Sequence, residues 1–267
     1  MQLFATWRAL DTGAIMTTKR TKTERAMGGG EAPNRRELTR VLDLLAERAV
    51  TVRARKRQRI AIGIDSTETL YLVKSGALIL NSDCDQERRS ILTILYNGDA
   101  FKTSSVPPNT KLVLTALVPS VLVRCPWSVF EEMAAKDFSL AQFYMRQSSE
   151  QQARQALHVV SLSQLSSEER VAAFLLDIGL RIGTVRPGSL VCDLPLTRKD
   201  MADFLALNAD TLSRIMSRLK SKGLITAIGR GRLVIREPRE LCGEGPVGAA
   251  LLEMYGRRAE EDQSLAV

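Results

Sequence analysis

Histidine is nearly absent from this 267-residue chain, which holds one, His158. Its four cysteines, at 84, 125, 192 and 242, lie 41, 67 and 50 positions apart, so no pair stands at metal-ligand spacing. A Gly-x-Ser-x-Gly elbow and a phosphate loop of the form Gly-x-x-x-x-Gly-Lys-Ser/Thr are missing too. Without imidazoles, paired ligands or a nucleophile motif, no catalytic constellation is legible, and an enzyme is not expected. Apolar runs stay well short of the ~20 residues that cross a bilayer. The opening MQLFATWRALDTGAIMTTKR has no basic leader followed by a continuous apolar core. A cytoplasmic protein with no membrane partner is therefore expected.

Positive charge is abundant. Lys and Arg number 38 against 30 Asp and Glu, a net charge of +8, and the pI is near 9.6. A polyanion partner fits, though charge alone suits ribosomal or membrane-surface binding equally. Its distribution is more telling. Residues 164–236 carry 12 Lys/Arg against 7 Asp/Glu, net +5, whereas residues 237–267 carry 3 against 7, net −4.

The segment Leu196–Lys222, LTRKDMADFLALNADTLSRIMSRLKSK, concentrates the signal. Thr197 is placed to N-cap a short helix, with Asp200 at the third helical position completing a capping box. Met201, Ala202 and Leu205 supply its apolar side. Asn208 is a second N-cap, and Leu212, Ile215, Met216 and Leu219 follow at i, i+3, i+4, i+7, one buried stripe. The opposite face carries Asp210, Ser213, Arg214, Ser217, Arg218 and Ser221. Short polar side chains beside two guanidinium groups suit a DNA major groove, where Arg pairs with guanine and carboxylates accept from cytosine. The plainer reading is a helical pair that never meets DNA, with Asp210 and Arg214 an ordinary i,i+4 ion pair. Leu224–Glu237 then reads as two short strands around Gly229-Arg230-Gly231. Such a hairpin is the wing of a winged helix-turn-helix, and Arg230 and Arg232 on it are candidate phosphate contacts.

Residues 196–222 resemble the recognition region of the Crp/Fnr family of bacterial transcription regulators, most closely in LNADTLSR (Leu207–Arg214). The resemblance is to the Fnr/FixK-like branch, whose base-reading Glu, Ser and Arg fall here on Asp210, Ser213 and Arg214. Asp210 is one methylene shorter than the usual Glu. Nothing before Cys84 matches the cysteine cluster of an iron–sulfur Fnr. LYLVKSGALIL (Leu70–Leu80) and NGDAF (Asn97–Phe101) resemble parts of the family's cyclic-nucleotide-binding β-roll. The family's nucleotide cassette needs a Glu and an Arg-Ser pair. The equivalent stretch, NGDAFKTSSVPPNTKLVLTALVP, has neither Glu nor Arg. Lys102 and Lys111 lack the guanidinium fork, and Pro107-Pro108 interrupts the phosphate loop. Cyclic nucleotide binding is not expected. Haem is not expected either, since His158 lies on a helix and not in the roll.

The remaining sequence falls into place around these elements. Residues 1–33 read as a mobile basic tail. A helix begins at Asn34 and ends near Ala49. Arg53–Arg59 is a basic run, read first as a solvated strand or loop and alternatively as an auxiliary phosphate contact. Strands are expected at Thr69–Lys74, Ala77–Asn81, Ser90–Tyr96, Leu112–Val118 and Val121–Arg124. Trp127–Ala135 forms a helix, and Asp137 opens a longer one to about Leu162. Ala141, Tyr144, Met145, Ser148, Gln152, Ala156, Val159 and Val160 lie near one stripe of it, a coiled-coil seam or a face packed on the chain's own roll. Ser166 and Glu169 make a capping box for the next helix. A short helix is expected around Ala249–Arg257 within the acidic end.

The expected fold class is α+β. A cyclic-nucleotide-binding-like β-roll, an antiparallel jelly roll, spans 34–135. A dimerisation helix spans 136–165, a winged helix-turn-helix 166–240 and an acidic tail 241–267. The resemblance implies a homodimeric, sequence-specific transcription regulator on a near-palindromic promoter site, with double-stranded DNA and RNA polymerase as partners and no cofactor. The alternative is a ligand-sensing signalling or scaffold protein using the helical domain for protein contact. Asp210, Ser213 and Arg214 are the expected base readers. Thr197, Arg198, Arg218, Lys220, Arg230 and Arg232 are the expected phosphate contacts. Cys192 has the best claim to a redox role, on condition that it is exposed with a lowered pKa.

Overall fold

The computed structural model describes residues 35–62, 67–83, 89–105, 111–186, 188–228, 231–243 and 247–255. The N-terminal tail, Cys84, Pro107-Pro108, Gly229, Arg230 and the last twelve residues lie outside them.

After helix α1 (Arg35–Leu45) come eight strands: β1 (Val50–Ala54), β2 (Arg59–Ile62), β3 (Thr69–Ser75), β4 (Ala77–Asp83), β5 (Arg89–Tyr96), β6 (Ala100–Lys102), β7 (Leu112–Ala116) and β8 (Ser120–Pro126). They form two antiparallel four-stranded sheets, ordered β1-β8-β3-β6 and β2-β7-β4-β5. This is the expected roll. The strands at 69–75, 77–83, 89–96, 112–116 and 120–126 match the sequence reading within two residues. β1 and β2 meet the two ends of the basic run Arg53–Arg59, which was read as a solvated strand or loop, while β6 has no counterpart in the sequence reading. β6 is only three residues long.

The apolar texture of β3 and β4 has a simple cause. Tyr71 and Val73 of β3, with Leu78 and Leu80 of β4, point between the sheets to meet Leu95, Leu114 and Leu122. Leu70 and Leu72 point outward, under α1 and the helices that follow the roll. Ala77 and Ile79 also point outward, against the C-terminal domain. Strands covered on both faces lose their polar alternation. Between β3 and β4 the chain turns at Gly76, whose φ is +102° and where an added Cβ would collide with Ser120.

Helix α2 (Trp127–Lys136) and the 27-residue α3 (Phe138–Gln164) follow, with Asp137 capping α3 through its contact with the Ser139 N–H. α3 has two faces. Leu140, Phe143, Gln147 and Ser161 are buried within the chain. Phe138, Met145 and Val159 are 64%, 53% and 63% exposed. The stripe read as either a seam or a packed face is divided: Tyr144 packs on Trp127 and Phe130, while Met145 and Val159 face outward.

The chain breaks at Leu165 and restarts with α4 (Ser167–Ile182), where the Ser166/Glu169 capping box is present. β9 (Thr184–Arg186), β10 (Ser189–Asp193), α5 (Arg198–Phe204), α6 (Ala209–Ser221), β11 (Ile225–Ile228), β12 (Arg232–Arg236) and α7 (Pro238–Cys242) complete the domain. Its strands make a third sheet, β11-β12-β10-β9. Residues 247–255 are helical as well, and this helix buries Val247 and Leu251 in the domain core. That core is continuous with the outer face of the second sheet, through Ile79, Ile91, Ile94 and Tyr96.

Candidate nucleic-acid interface

Two short helices and a tight turn carry the interface. Thr197 opens α5: its Oγ1 accepts from the Asp200 N–H at 3.1 Å and donates to Asp200 Oδ2 at 2.6 Å, while its own N–H donates to the same carboxylate at 3.0 Å. Met201 and Ala202 are buried beneath. The turn passes through Ala206 at φ +52°, a left-handed conformation that costs a non-glycine residue about 1 kcal/mol. It is held by the Leu207 N–H on Ala202 O at 2.9 Å and by Arg170 Nη1 on Leu205 O at 3.1 Å.

Asn208 caps α6, its Oδ1 accepting from the Thr211 N–H at 2.7 Å. Leu212, Ile215, Met216 and Leu219 are buried, as the spacing predicts. Asp210, Ser213, Arg214, Ser217, Arg218 and Ser221 are all exposed on the outer face. The helix therefore presents a polar ridge from a fixed apolar base. Ser213 Oγ donates to Ala209 O at 2.8 Å, which leaves its lone pairs outward as acceptors. Arg214 and Asp210 extend into solvent on either side of it.

The expected phosphate contacts divide. Arg198 and Lys220 are exposed cations at the edge of the ridge. Arg218 lies against Glu168 at 2.6 Å, with Lys222 on the other oxygen at 2.7 Å, and these two cations hold the Glu168 carboxyl below its usual range. Arg232 pairs with Asp193 at 3.0 Å across the wing sheet. Arg230 lies outside the described residues. Thr197 corrects the sequence reading: its hydroxyl and amide protons are both spent on Asp200, so it is a cap, not a phosphate donor, in this arrangement.

Cys192 is a second correction. Its side chain is 3% exposed in the domain core, and burial pushes its thiol up to about 11. Both conditions for a reactive thiol fail, because a low-dielectric surrounding disfavours the thiolate. In the roll, Lys102 is engaged by Glu68 at 2.9 Å and lies 4.0 Å above the Trp127 ring. Its charge is committed locally. Lys111 is exposed, on the approach to β7. His158 stacks on Phe204 of α5 with centroids 4.1 Å apart, an interface role for the lone imidazole. Among the described residues, no group of three His, Cys, Asp or Glu is placed to hold a metal, and no helix is long and apolar enough to cross a membrane.

Sequence reasoning missed the polar cluster that seats this domain on the roll. Asp99 accepts from Arg181 of α4 at 2.5 Å, from Arg154 of α3 at 3.4 Å and from the Tyr96 N–H at 2.7 Å. Arg154 and Arg181 lie 55 and 82 positions from Asp99, beyond any local spacing rule.

Residues 169–243 match the family described as the Crp-like helix-turn-helix domain. Over 171 residues, 64% of this chain and 68% of the relative, the chain is 30% identical to the nitrogen fixation regulation protein FixK of Azorhizobium caulinodans. It is 28% identical to the regulatory protein HlyX of Actinobacillus pleuropneumoniae, over 73% of this chain and 80% of that one. Among solved structures it is similar to FixK2 from Bradyrhizobium japonicum, with a TM-score of 0.61, 26% identity and coverage of 72% and 95% of the two chains.

Proposed function

The chain belongs to the Crp/Fnr family of transcription regulators, on its Fnr/FixK branch, and we propose that it acts as a homodimer, reading a near-palindromic promoter site through Asp210, Ser213 and Arg214. Sequence-specific DNA binding is the family's activity, and none of the family's work is enzymatic. The observation that carries the finer reading is the exposed ridge of α6 above a fully buried stripe. A helix locked by its apolar face and open on its polar face is what major-groove docking needs.

Arg214 pairs with guanine, and Asp210 and Ser213 accept from neighbouring base edges. Arg198, Lys220, Arg218 and Arg232 grip phosphates, Arg218 and Arg232 exchanging a carboxylate partner for the DNA backbone. Arg230, at the wing tip, is assigned the same role from its sequence position.

Dimerisation is supported by the outward face of α3. Phe138, Met145, Gln152 and Val159 recur every seven residues, and the three apolar ones stay more than half exposed. That seam runs ~32 Å along the helix. A parallel partner helix there would set two α6 ridges on one face of the duplex, about one turn, ~34 Å, apart. As a promoter-bound regulator the dimer then acts on RNA polymerase, activating or repressing according to where its site lies.

The test is sequence selection from a random duplex pool with the full-length protein, followed by titration of Arg214→Ala on the recovered site. The expected result is a two-fold-symmetric motif and a loss of discrimination of ~1–3 kcal/mol at one base pair per half-site. Uniform weakening on every sequence would make Arg214 a phosphate contact. No preference for any duplex would return the chain to the ligand-sensing, protein-binding alternative.

A further inference from the structure

A basic hairpin of the roll reaches the helix-turn-helix. Between Arg48 and Ile62 the chain has six Arg or Lys and no Asp or Glu. Arg53, Arg55, Lys56 and Arg57 of this stretch are exposed. Its tip, between β1 and β2, is held firmly for a surface loop. The Arg55 N–H donates to Gln58 Oε1 and the Gln58 N–H to Arg55 O, both at 2.9 Å. The Arg57 N–H donates to Ala116 O at 2.7 Å, and the Ala116 N–H to Gln58 O at 3.0 Å. Arg57 itself sits at φ +69°, a conformation that glycine would adopt without strain.

The position of that side chain decides the partner. Arg57 Nη1 lies 3.5 Å from Asp200 Oδ2, at the start of α5 and beside the exposed Arg198 and Lys199. In helix-turn-helix docking the first helix crosses the phosphate backbone while the second enters the groove. The hairpin therefore abuts the element that lies over the backbone, and it brings to that place charge from a different domain.

We infer that the β1–β2 hairpin is a second DNA-contacting surface, taking the phosphates of the duplex that flank each half-site on the roll side. The inference rests on the DNA-binding reading above and adds to it a contact made by the roll. Arg53, Arg55 and Lys56 bind the flanking backbone without reading bases. Arg57 ties the hairpin to α5, so that both surfaces meet one strand in register.

The experiment compares two duplexes bearing the same selected site. One ends at the palindrome, and the other extends it by about one helical turn, ~10 base pairs, on each side. The protein is the full-length dimer carrying R53Q/R55Q/K56Q, which spares Arg57, and the matching R53K/R55K variant, which keeps the charge. Each phosphate neutralised contributes about −0.9 to the slope of log K against log salt. On the long duplex the glutamine variant is expected to lose ~2–3 from that slope, or up to ~5 if both hairpins of the dimer engage, with binding weakened at least ~10-fold at low salt. On the short duplex it binds like the unaltered protein, and the lysine variant keeps the full slope on both. Equal behaviour of the glutamine variant on the two duplexes overturns the inference, as does unchanged DNA binding with a loss confined to transcription by RNA polymerase. A protein that selects no site at all overturns the DNA-binding reading instead, and the two failures are told apart before any variant is made.

Discussion

Replacing Asp99 is expected to loosen the joint between the roll and the DNA-binding domain. The carboxylate is almost enclosed: the side chains of Asp99, Arg154 and Arg181 are 11%, 11% and 9% exposed. Arg181 donates to Asp99 at 2.5 Å, lies 4.8 Å above the Tyr96 ring and approaches the Ile94 carbonyl at 3.4 Å. Truncation to alanine removes the nearest negative charge from two enclosed guanidinium groups and the acceptor from the Tyr96 N–H. Breaking a buried pair on one side costs ~3–5 kcal/mol, because the remaining charge stays desolvated. Asp177, the other carboxylate near Arg181, offsets part of that, so the low end of the range, ~3 kcal/mol, is the expected loss. At an m-value of ~2–3 kcal/mol per molar urea, the unfolding midpoint falls by ~1–1.5 M. The assay is urea unfolding of Asp99→Ala, Arg181→Met and the double variant, followed by tryptophan fluorescence and circular dichroism. A coupling energy of ~1–3 kcal/mol between the two sites is expected. Additive losses, with coupling below ~0.5 kcal/mol, would show that Asp99 and Arg181 do not sense each other and would refute the reasoning.

Three further outcomes follow from the same geometry. Burial lowers the pKa of His158 below its ordinary value, so the unfolded chain takes up a proton at higher pH than the folded one. Stability is expected to fall as pH drops through the region below ~6.5, and His158→Phe, which keeps the stack on Phe204, should flatten that limb in pH-dependent melting. An unchanged limb would place the acid sensitivity elsewhere. Cys192 should resist alkylation at pH 8 in the native protein and react once denatured, as peptide mass mapping would show; ready native labelling would contradict its burial. Val159→Glu should weaken the dimer ~100-fold or more, because an apolar side chain is worth ~1.5–3 kcal/mol and two-fold symmetry counts it twice. Sedimentation velocity decides it, and an unaltered dimer would move the interface off α3.

What the sequence determined on its own was local. The caps at Thr197, Asn208 and Ser166 depend on residues three apart, and the buried stripe of α6 on spacings of three and four. Such distances are fixed by the backbone geometry of a single helix, so the sequence states them directly. The strands of the roll were legible wherever an apolar run ended in a turn, as at Ser75-Gly76. They were ambiguous beside the basic run, where strand and loop stayed open between β1 and β2, and illegible where three residues made a strand, as in β6. The tertiary structure alone decided the rest. Which face of α3 stays open depends on the roll that covers the other, and the burial of Cys192 depends on its neighbours in the folded domain. Asp99 finds Arg154 and Arg181 only because three elements close on one point. Contacts of that kind are set by packing between elements, whose partners no spacing rule within one element can name.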